Sequence, residues 1–264
     1  MINFLSLSSG SSGNCYYVGN ETSGILIDAG ISAKNIRKYL SDNGIYISTV
    51  MGILITHNHS DHTRGLEVLA RRNSIPVFTT SMVWKSILYP KSKLSKDLFR
   101  EIYLQEKFRL AGFEIEAFLV NHDAPETIGF HISKGKNKIT IATDLGYISD
   151  TVASYIRAAN LLVLESNYDE QMLVSGSYPY FLKNRIMSDK GHLGNHQTSA
   201  FLADNINGNL QHICLAHLSK QNNTPELALQ AMADALQSNG NHAKRIRLTV
   251  LNRNISSEII GLAN

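Results

Sequence analysis

The 264-residue sequence predicts an α/β protein in which two sheets stack face to face with helices outside them. Three observations lead there. Short apolar runs alternate with amphipathic stretches in a βαβ rhythm. The two halves of the chain share a rough order, strands followed by βα units. Strand ends repeatedly carry histidine or carboxylate: Asp28, His57 to His62, His122, Asp144 and His217. The length suffices to bury a sizeable core, and with no repeat, low-complexity tract or obvious linker, residues 1–264 read as a single domain.

Residues 2–7 alternate weakly and open the chain as a strand, followed by Ser8-Ser9-Gly10-Ser11-Ser12-Gly13-Asn14, a small, polar, flexible loop. Residues 16–18 and 25–27 read as paired strands, the second ending at Asp28-Ala29-Gly30. Ser32 caps a helix that runs through Ile36 and Leu40 and stops near Gly44. The apolar run 51–55 is a buried strand that delivers Thr56-His57-Asn58-His59-Ser60-Asp61-His62. Leu66, Leu69 and Ala70 fall at helical spacing, and 76–79 returns to a strand. A helix at 82–88 precedes a basic, less patterned piece, 91–100. Strands are expected at 113–120, 128–132 and 138–142, the first and third running into His122 and Asp144. A helix at 151–159 leads to the apolar strand 161–164, which ends at Glu165-Ser166-Asn167. Helices at 179–187 and 196–205 follow, then a strand at 213–216 reaching His217. Pro225 suits the first turn of a last long helix, and 247–251 closes as a strand.

A composition of 43% hydrophobic and 18% charged residues fits a soluble globular protein. No apolar run approaches the ~20 residues that cross a bilayer. The start Met1-Ile2-Asn3-Phe4 lacks the basic opening and apolar stretch of a signal peptide, so a cytoplasmic address and no membrane partner are expected. Cys15 and Cys214 match no zinc-knuckle spacing and read as free buried thiols. A net charge of +3 neither demonstrates nor opposes a nucleic-acid partner.

The run 57–62 concentrates three histidines and a carboxylate where a strand stops. Residues two apart on an extended chain point the same way, so His57 and His59 can grip one metal while Asp61 and His62 turn towards a second. Imidazole and carboxylate suit zinc, manganese or iron, and catalytic sites keep an exchangeable water among such ligands. Histidines standing alone, His131, His212 and His242, take the ordinary reading of structural or surface residues.

Ile27-Asp28-Ala29-Gly30, Thr56 through His62, Val120-Asn121-His122, Ala142-Thr143-Asp144 and Ala216-His217, in this order over nearly the whole chain, resemble the metallo-β-lactamase superfamily. The resemblance implies an αββα four-layer sandwich, two mixed β-sheets with helices on the outer faces, and a site for two divalent metal ions between the sheets. It puts His57, His59 and His122 on one ion and Asp61, His62 and His217 on the other. Asp144 bridges them, Asp61 also serves as the catalytic carboxylate, and Asp28 supports the site from outside the ligand shell. On local sequence alone Asp28 reads equally well as a turn-forming aspartate before Gly30.

Within the superfamily, the loop 8–15, the segment Leu164-Glu165-Ser166-Asn167-Tyr168-Asp169, Gly191-His192-Leu193-Gly194-Asn195 and residues 217–223 together resemble the bacterial YycJ (WalJ) branch. Tyr168 and Gly194 depart from that branch, where histidine and serine are expected. The resemblance implies a phosphodiester hydrolase acting as a 5′-to-3′ exonuclease on duplex DNA. His192 is the candidate proton donor or phosphate ligand, with a helix-cap or surface role as the alternative. Ser12, Asn14, Asn195 and Asn223 are candidate substrate contacts, and the Ser/Gly loop can offer backbone N–H groups to a phosphate. Lys85, Lys91, Lys93, Lys96 and Arg100 form either a phosphate-tracking patch or a solvated basic face. The competing functions are a thioester or carboxyl-ester hydrolase of the glyoxalase II type, a small-molecule phosphodiesterase, and a non-catalytic metal-binding module.

Overall fold

The computed structural model describes residues 1–88, 92–206, 208–237 and 245–263. Lys91 and His242, named above, lie outside the described residues.

Each half of the chain builds an antiparallel meander and then continues it with parallel strands. The first sheet begins with β1 (Ile2–Ser8), β2 (Cys15–Gly19) and β3 (Gly24–Ile27), antiparallel to one another. It then adds β4 (Val50–Leu54), β5 (Val77–Thr79) and β6 (Phe99–Glu101) in parallel. The connections carry α1 (Ala33–Asp42), the short α2 (Ser60–Thr63), α3 (Leu66–Asn73) and α4 (Ser81–Leu88). The second sheet opens with β7 (Lys107–Leu110), β8 (Phe113–Val120), β9 (Thr127–Lys134) and β10 (Asn137–Ala142), again antiparallel. It goes on in parallel through β11 (Leu161–Glu165), β12 (His212–Ala216) and β13 (Arg247–Val250). Its connections carry α5 (Asp150–Ala158), α6 (Glu170–Ser175), α7 (Tyr180–Ile186), α8 (Asn195–Asn205) and α9 (Pro225–Gln237). A last strand, β14 (Ile260–Leu262), returns to pair with β1. Among the described residues this makes two sheets of seven strands each.

Layering follows from which faces are apolar. Phe4, Tyr16 and Ile25 of the first sheet meet Phe113, Phe130 and Ile141 of the second in one buried cluster. Burial of a side chain such as Phe4 or Phe130 contributes roughly 1.5–3 kcal/mol. The opposite face of the first sheet packs Leu26 and Ile53 against Ile36, Leu40, Leu69 and Trp84 of the helices. The second sheet does likewise with Leu162 and Leu215 against Val152, Leu202 and Met232. The αββα sandwich expected from the sequence is the fold observed.

α1 starts at its Ser32 cap, whose side chain accepts from Asn35 N, and α9 starts at Pro225 as expected. Sequence reading misses α2, β6, β7, β14 and α6. The first four have three or four residues, too short to show a period, and β6, β7 and β14 lie at sheet edges. α6 has six residues and is set by its Asp169 cap. The loop after β1 is not flexible in the way its composition suggests. Ser8, Ser9 and Asn14 are buried, and the N–H groups of Ser9, Gly13 and Asn14 are spent on Asn252, Gly10 and Asp61 carbonyls. Gly10 N–H donates to Asn14 Oδ1, so little of this backbone is left for a phosphate.

Both parallel segments and β8 run in directions that bring the C-terminal ends of β3, β4, β8, β10, β11 and β12 to one rim of the sandwich. That rim holds the residues singled out by the sequence. Both cysteines are free and buried, as expected. Among the described residues no helix is long and apolar enough to cross a membrane.

Candidate metal centre and active site

Three ligand-type residues at the rim sit in left-handed backbone: Asp28 (φ 59°), Asp144 (φ 60°) and His217 (φ 57°). Such a conformation costs non-glycine residues of order 1 kcal/mol or more and persists where the surroundings enforce it. Here it turns each strand sharply, so that the side chain points back across the rim. The run after β4 is also tightly packed. His59 is the N-cap of α2, and a Cβ on Gly30 would lie 1.6 Å from the Asp61 carbonyl oxygen. Only glycine at 30 lets that segment approach.

The resulting cluster has overlapping groups whose ligand atoms lie within 4.8 Å of one another: His57, His59 and His122; Asp61, His62 and His217; and His57, His62 and Asp144. Asp144 occupies the middle. Its Oδ2 is 3.2 Å from His62 Nε2, and its Oδ1 is 3.5 Å from His217 Nδ1 and 3.7 Å from His122 Nε2. Asp61 Oδ2 lies 3.4 Å from His217 Nε2 and 3.5 Å from His62 Nε2.

Four of the five histidines are turned the same way by their outer partners. His62 Nδ1 meets Asp28 Oδ2 at 2.7 Å, His217 Nδ1 meets Glu165 Oε1 at 2.7 Å, and His122 Nδ1 meets the Gly191 carbonyl at 3.1 Å. His57 Nδ1 meets the Thr56 hydroxyl at 3.0 Å, and that hydroxyl already donates to Asp28. These acceptors hold a proton on Nδ1 and aim Nε2 inward, the arrangement of metal-ligating imidazoles, in which a cation takes the place of any proton on Nε2. Asp28 is thereby the group that orients His62 and, through Thr56, His57, while its remaining capacity accepts Thr56 N–H at 2.9 Å.

The inward atoms are poorly served by protein. His57 Nε2 is buried without a hydrogen-bond partner among the described residues, and Asp144 Oδ2 faces His62 Nε2 without a well-formed hydrogen bond. Orphaned buried atoms of this kind are costly. Burial opposes charge on His62 and His217, yet Asp144 raises both, aided by Asp28 at His62 and by Asp61 and Glu165 at His217, which reaches about 10. Burial likewise opposes ionisation of Asp144, but His217 and His62 hold its carboxyl well below the usual range. His57 is depressed by burial and then by His62. Without an ion the carboxylates draw protons onto His62 and His217, and the same convergence of imidazoles and carboxylates fits divalent cations in place of those protons.

Glu165 is the residue the sequence reading passes over. It is fully buried at the end of β11; Oε1 joins His217 at 2.7 Å and His192 Nδ1 at 2.9 Å, while Oε2 accepts N–H from Leu145 and Leu193, both at 3.1 Å. Burial would raise its pKa, but His192 and His217 hold it at about 2. The signal that finds it is the one that found the others, a carboxylate at a strand end. His192 is held facing the cluster, with Nδ1 3.9 Å from Asp144 Oδ1. It lines a cleft of about 190 Å³ together with Ser11, Asp123, Asn167, Tyr178 and Arg185.

The candidate substrate contacts divide. Asn14 reaches the centre, with Nδ2 3.0 Å from His62 Nε2. Ser12 is exposed at the rim, where its carbonyl accepts from Arg64 at 3.1 Å. Asn195 and Asn223 are not brought to the cleft. Both are buried and bond each other at 2.9 Å in both directions, and Asn223 also donates to the Ser166 and Asn167 carbonyls. They tie α8 to the strand ends because their amides are spent internally. Among the candidates for a basic patch, Arg100 donates to the carbonyls of Asp97 and Phe99. His131 and His212 lie on β9 and β12, outside the groups described above.

Residues 24–211 match the family model described as beta-lactamase superfamily domain. The chain is 38% identical over 239 residues to Exodeoxyribonuclease YycJ of Bacillus anthracis, covering 90% of each. It is 36% identical over 232 residues to Exodeoxyribonuclease WalJ of Streptococcus pneumoniae, covering 87% of this chain and 86% of that one. Among solved structures, the metallo-beta-lactamase fold protein YhfI of Bacillus subtilis superposes with a TM-score of 0.72 over 97% of this chain and 98% of that one, at 12% identity, a likeness of fold.

Proposed function

This chain belongs to the β-lactamase superfamily and is a metal-dependent hydrolase, and on that premise we propose that it is a 5′-to-3′ DNA exonuclease working with two divalent ions. The observation that carries the reading is the set of imidazole nitrogens and carboxylates converging around Asp144, locked from outside by Asp28, Thr56, Glu165 and Gly191. The relatives' names, exodeoxyribonucleases at 36% and 38% identity, support DNA as substrate.

In this reading His57, His59 and His122 hold one ion, Asp61, His62 and His217 the other, and Asp144 lies between them. Zinc, manganese and iron all suit such donors. When bound, the ions supply Lewis acidity that polarises a phosphoryl oxygen and lowers the pKa of an attacking water. Asp61, whose Oδ2 lies among His62, His217 and Asn14, orients that water and accepts its proton. His192 keeps Nδ1 on Glu165, so its Nε2 is the nitrogen available to protonate the leaving oxygen or to bond the phosphate.

The test offers metal-reconstituted protein a 5′-phosphorylated DNA duplex, a chromogenic phosphodiester and a thioester in parallel. Release of nucleotides from the duplex, with the thioester left intact, is expected. Hydrolysis of the thioester alone, or inactivity on all three, contradicts the reading.

A further inference from the structure

A larger concavity, about 680 Å³, lies between α1 and α3 rather than at the histidine cluster. Its walls carry Lys34, Arg37, Lys38, Arg64 and Arg72, and no carboxylate lines it. All five cations are exposed. Lys38 pairs with Asp42 at 2.6 Å, and Arg64 donates to the Ser12 carbonyl. Lys34, Arg37 and Arg72 make no ion pair among the described residues. The nearest acidic residue on α3 is no help to Arg72, because Glu67 is engaged with Arg71, at 3.3 Å.

Fold stability does not explain this clustering. Lys34 with Arg37 and Lys34 with Lys38 are like charges at helical i,i+3 and i,i+4 spacing, which weakens a helix. The net charge of the whole chain is only +3, so five cations around one concavity are a local concentration. Its position also matters. Ser32 and Lys34 follow the rim turn at Asp28, and Arg64 stands two residues after His62 and reaches Ser12 of the Ser/Gly loop. A Cβ at Gly65 would lie 2.2 Å from the Ile31 carbonyl oxygen, so glycine there lets the two helix starts close the upper end of the cleft against the rim.

We propose that the α1–α3 cleft is a docking track for the phosphate backbone of duplex DNA, gripping the strand a few nucleotides from the end that enters the metal centre. The track rests on the nuclease reading and adds where the body of the substrate lies. Lys34, Arg37 and Arg72 each neutralise a phosphate and release its condensed counterions, which makes affinity fall steeply with salt.

The experiment measures fluorescence anisotropy of a labelled blunt duplex with wild-type protein and with the Lys34→Gln/Arg37→Gln/Arg72→Gln variant, in chelator, across a salt series. Hydrolysis of DNA and of a chromogenic phosphodiester by the metal-loaded forms is followed alongside. The variant should bind at least tenfold more weakly, with the slope of log affinity against log salt reduced by about 2 to 3. Its hydrolysis of the small phosphodiester should match wild type. If the triple variant melts lower than wild type, Arg37→Gln alone replaces it, with an expected slope change of about 1. Unchanged affinity and slope, in a wild type that does degrade DNA, overturn the track and leave the nuclease reading standing. A wild type that degrades no DNA overturns the nuclease reading and the track with it. Charge-dependent binding to phosphatidylglycerol vesicles, with DNA affinity unaltered in the variant, overturns the track in favour of a membrane surface.

Discussion

Asp28 touches none of the atoms a substrate meets, yet it decides which nitrogen His62 presents. Asn tolerates the same left-handed backbone, so Asp28→Asn isolates the charge. We expect it to weaken divalent-ion affinity 10- to 100-fold, the usual effect of removing such an orienting carboxylate, measured by competition with a chromophoric chelator. Unaltered affinity would show that Thr56 and the backbone suffice. His192 separates binding from turnover. His192→Ala should keep its ions and lose 10²- to 10⁴-fold in rate, the range of general acid–base catalysis, and a variant that loses both ions and rate would make His192 a ligand. A pH effect is expected away from the centre. Burial, then Lys138 and Lys107, depress His131 to about 4 from its ordinary 6.5. The unfolded chain therefore binds more protons between those values, so this contribution is fully present above pH ~6.5 and is lost as pH falls towards 4. Denaturant titrations at pH 7 and pH 4.5 should show His131→Gln removing a pH-dependent part of stability on the order of 2 kcal/mol. An identical pH dependence in wild type and variant would refute it.

At the scale of elements, the rim is built by strand ends that turn at once and by loops that cannot move apart. The density of His57 to His62 was open to a sequence reader because packing gives no reason for such a run. Glu165 was harder, since it ends an apolar strand and only the fold reveals that His192 and His217 share its Oε1. Asn195 and Asn223 carry substrate-like chemistry in sequence, and only their mutual burial shows them as internal ties. Gly30 is the sharpest test at this scale. Gly30→Ala drives a methyl group into the Asp61 backbone and should cost ~1–3 kcal/mol or more while displacing Asp61 and His62. A variant with wild-type melting and metal content would mean that the loop yields freely.

For the whole molecule, two meanders each extended by βα units were legible from the order of apolar runs. The face-to-face sheets follow because each needs a second cover for its apolar side. Short edge strands such as β6 and β14 were not, because their pairing partners supply the information. The rim gathers carboxylates and imidazoles that divalent cations would hold together, so metal binding should be coupled to folding. With each ion 100-fold above its dissociation constant, each adds about 2.7 kcal/mol to the native state, and stripping both should lower the melting temperature by roughly 10–20 °C. The most direct test of a two-ion exonuclease titrates manganese or zinc into stripped protein while nucleotide release from 5′-phosphorylated duplex DNA is followed. Activity should rise from nothing to a plateau at two equivalents per chain, and Asp144→Ala should stay silent throughout. Full activity at one equivalent, or in Asp144→Ala, would contradict the two-ion centre, and intact DNA at saturation would contradict the nuclease.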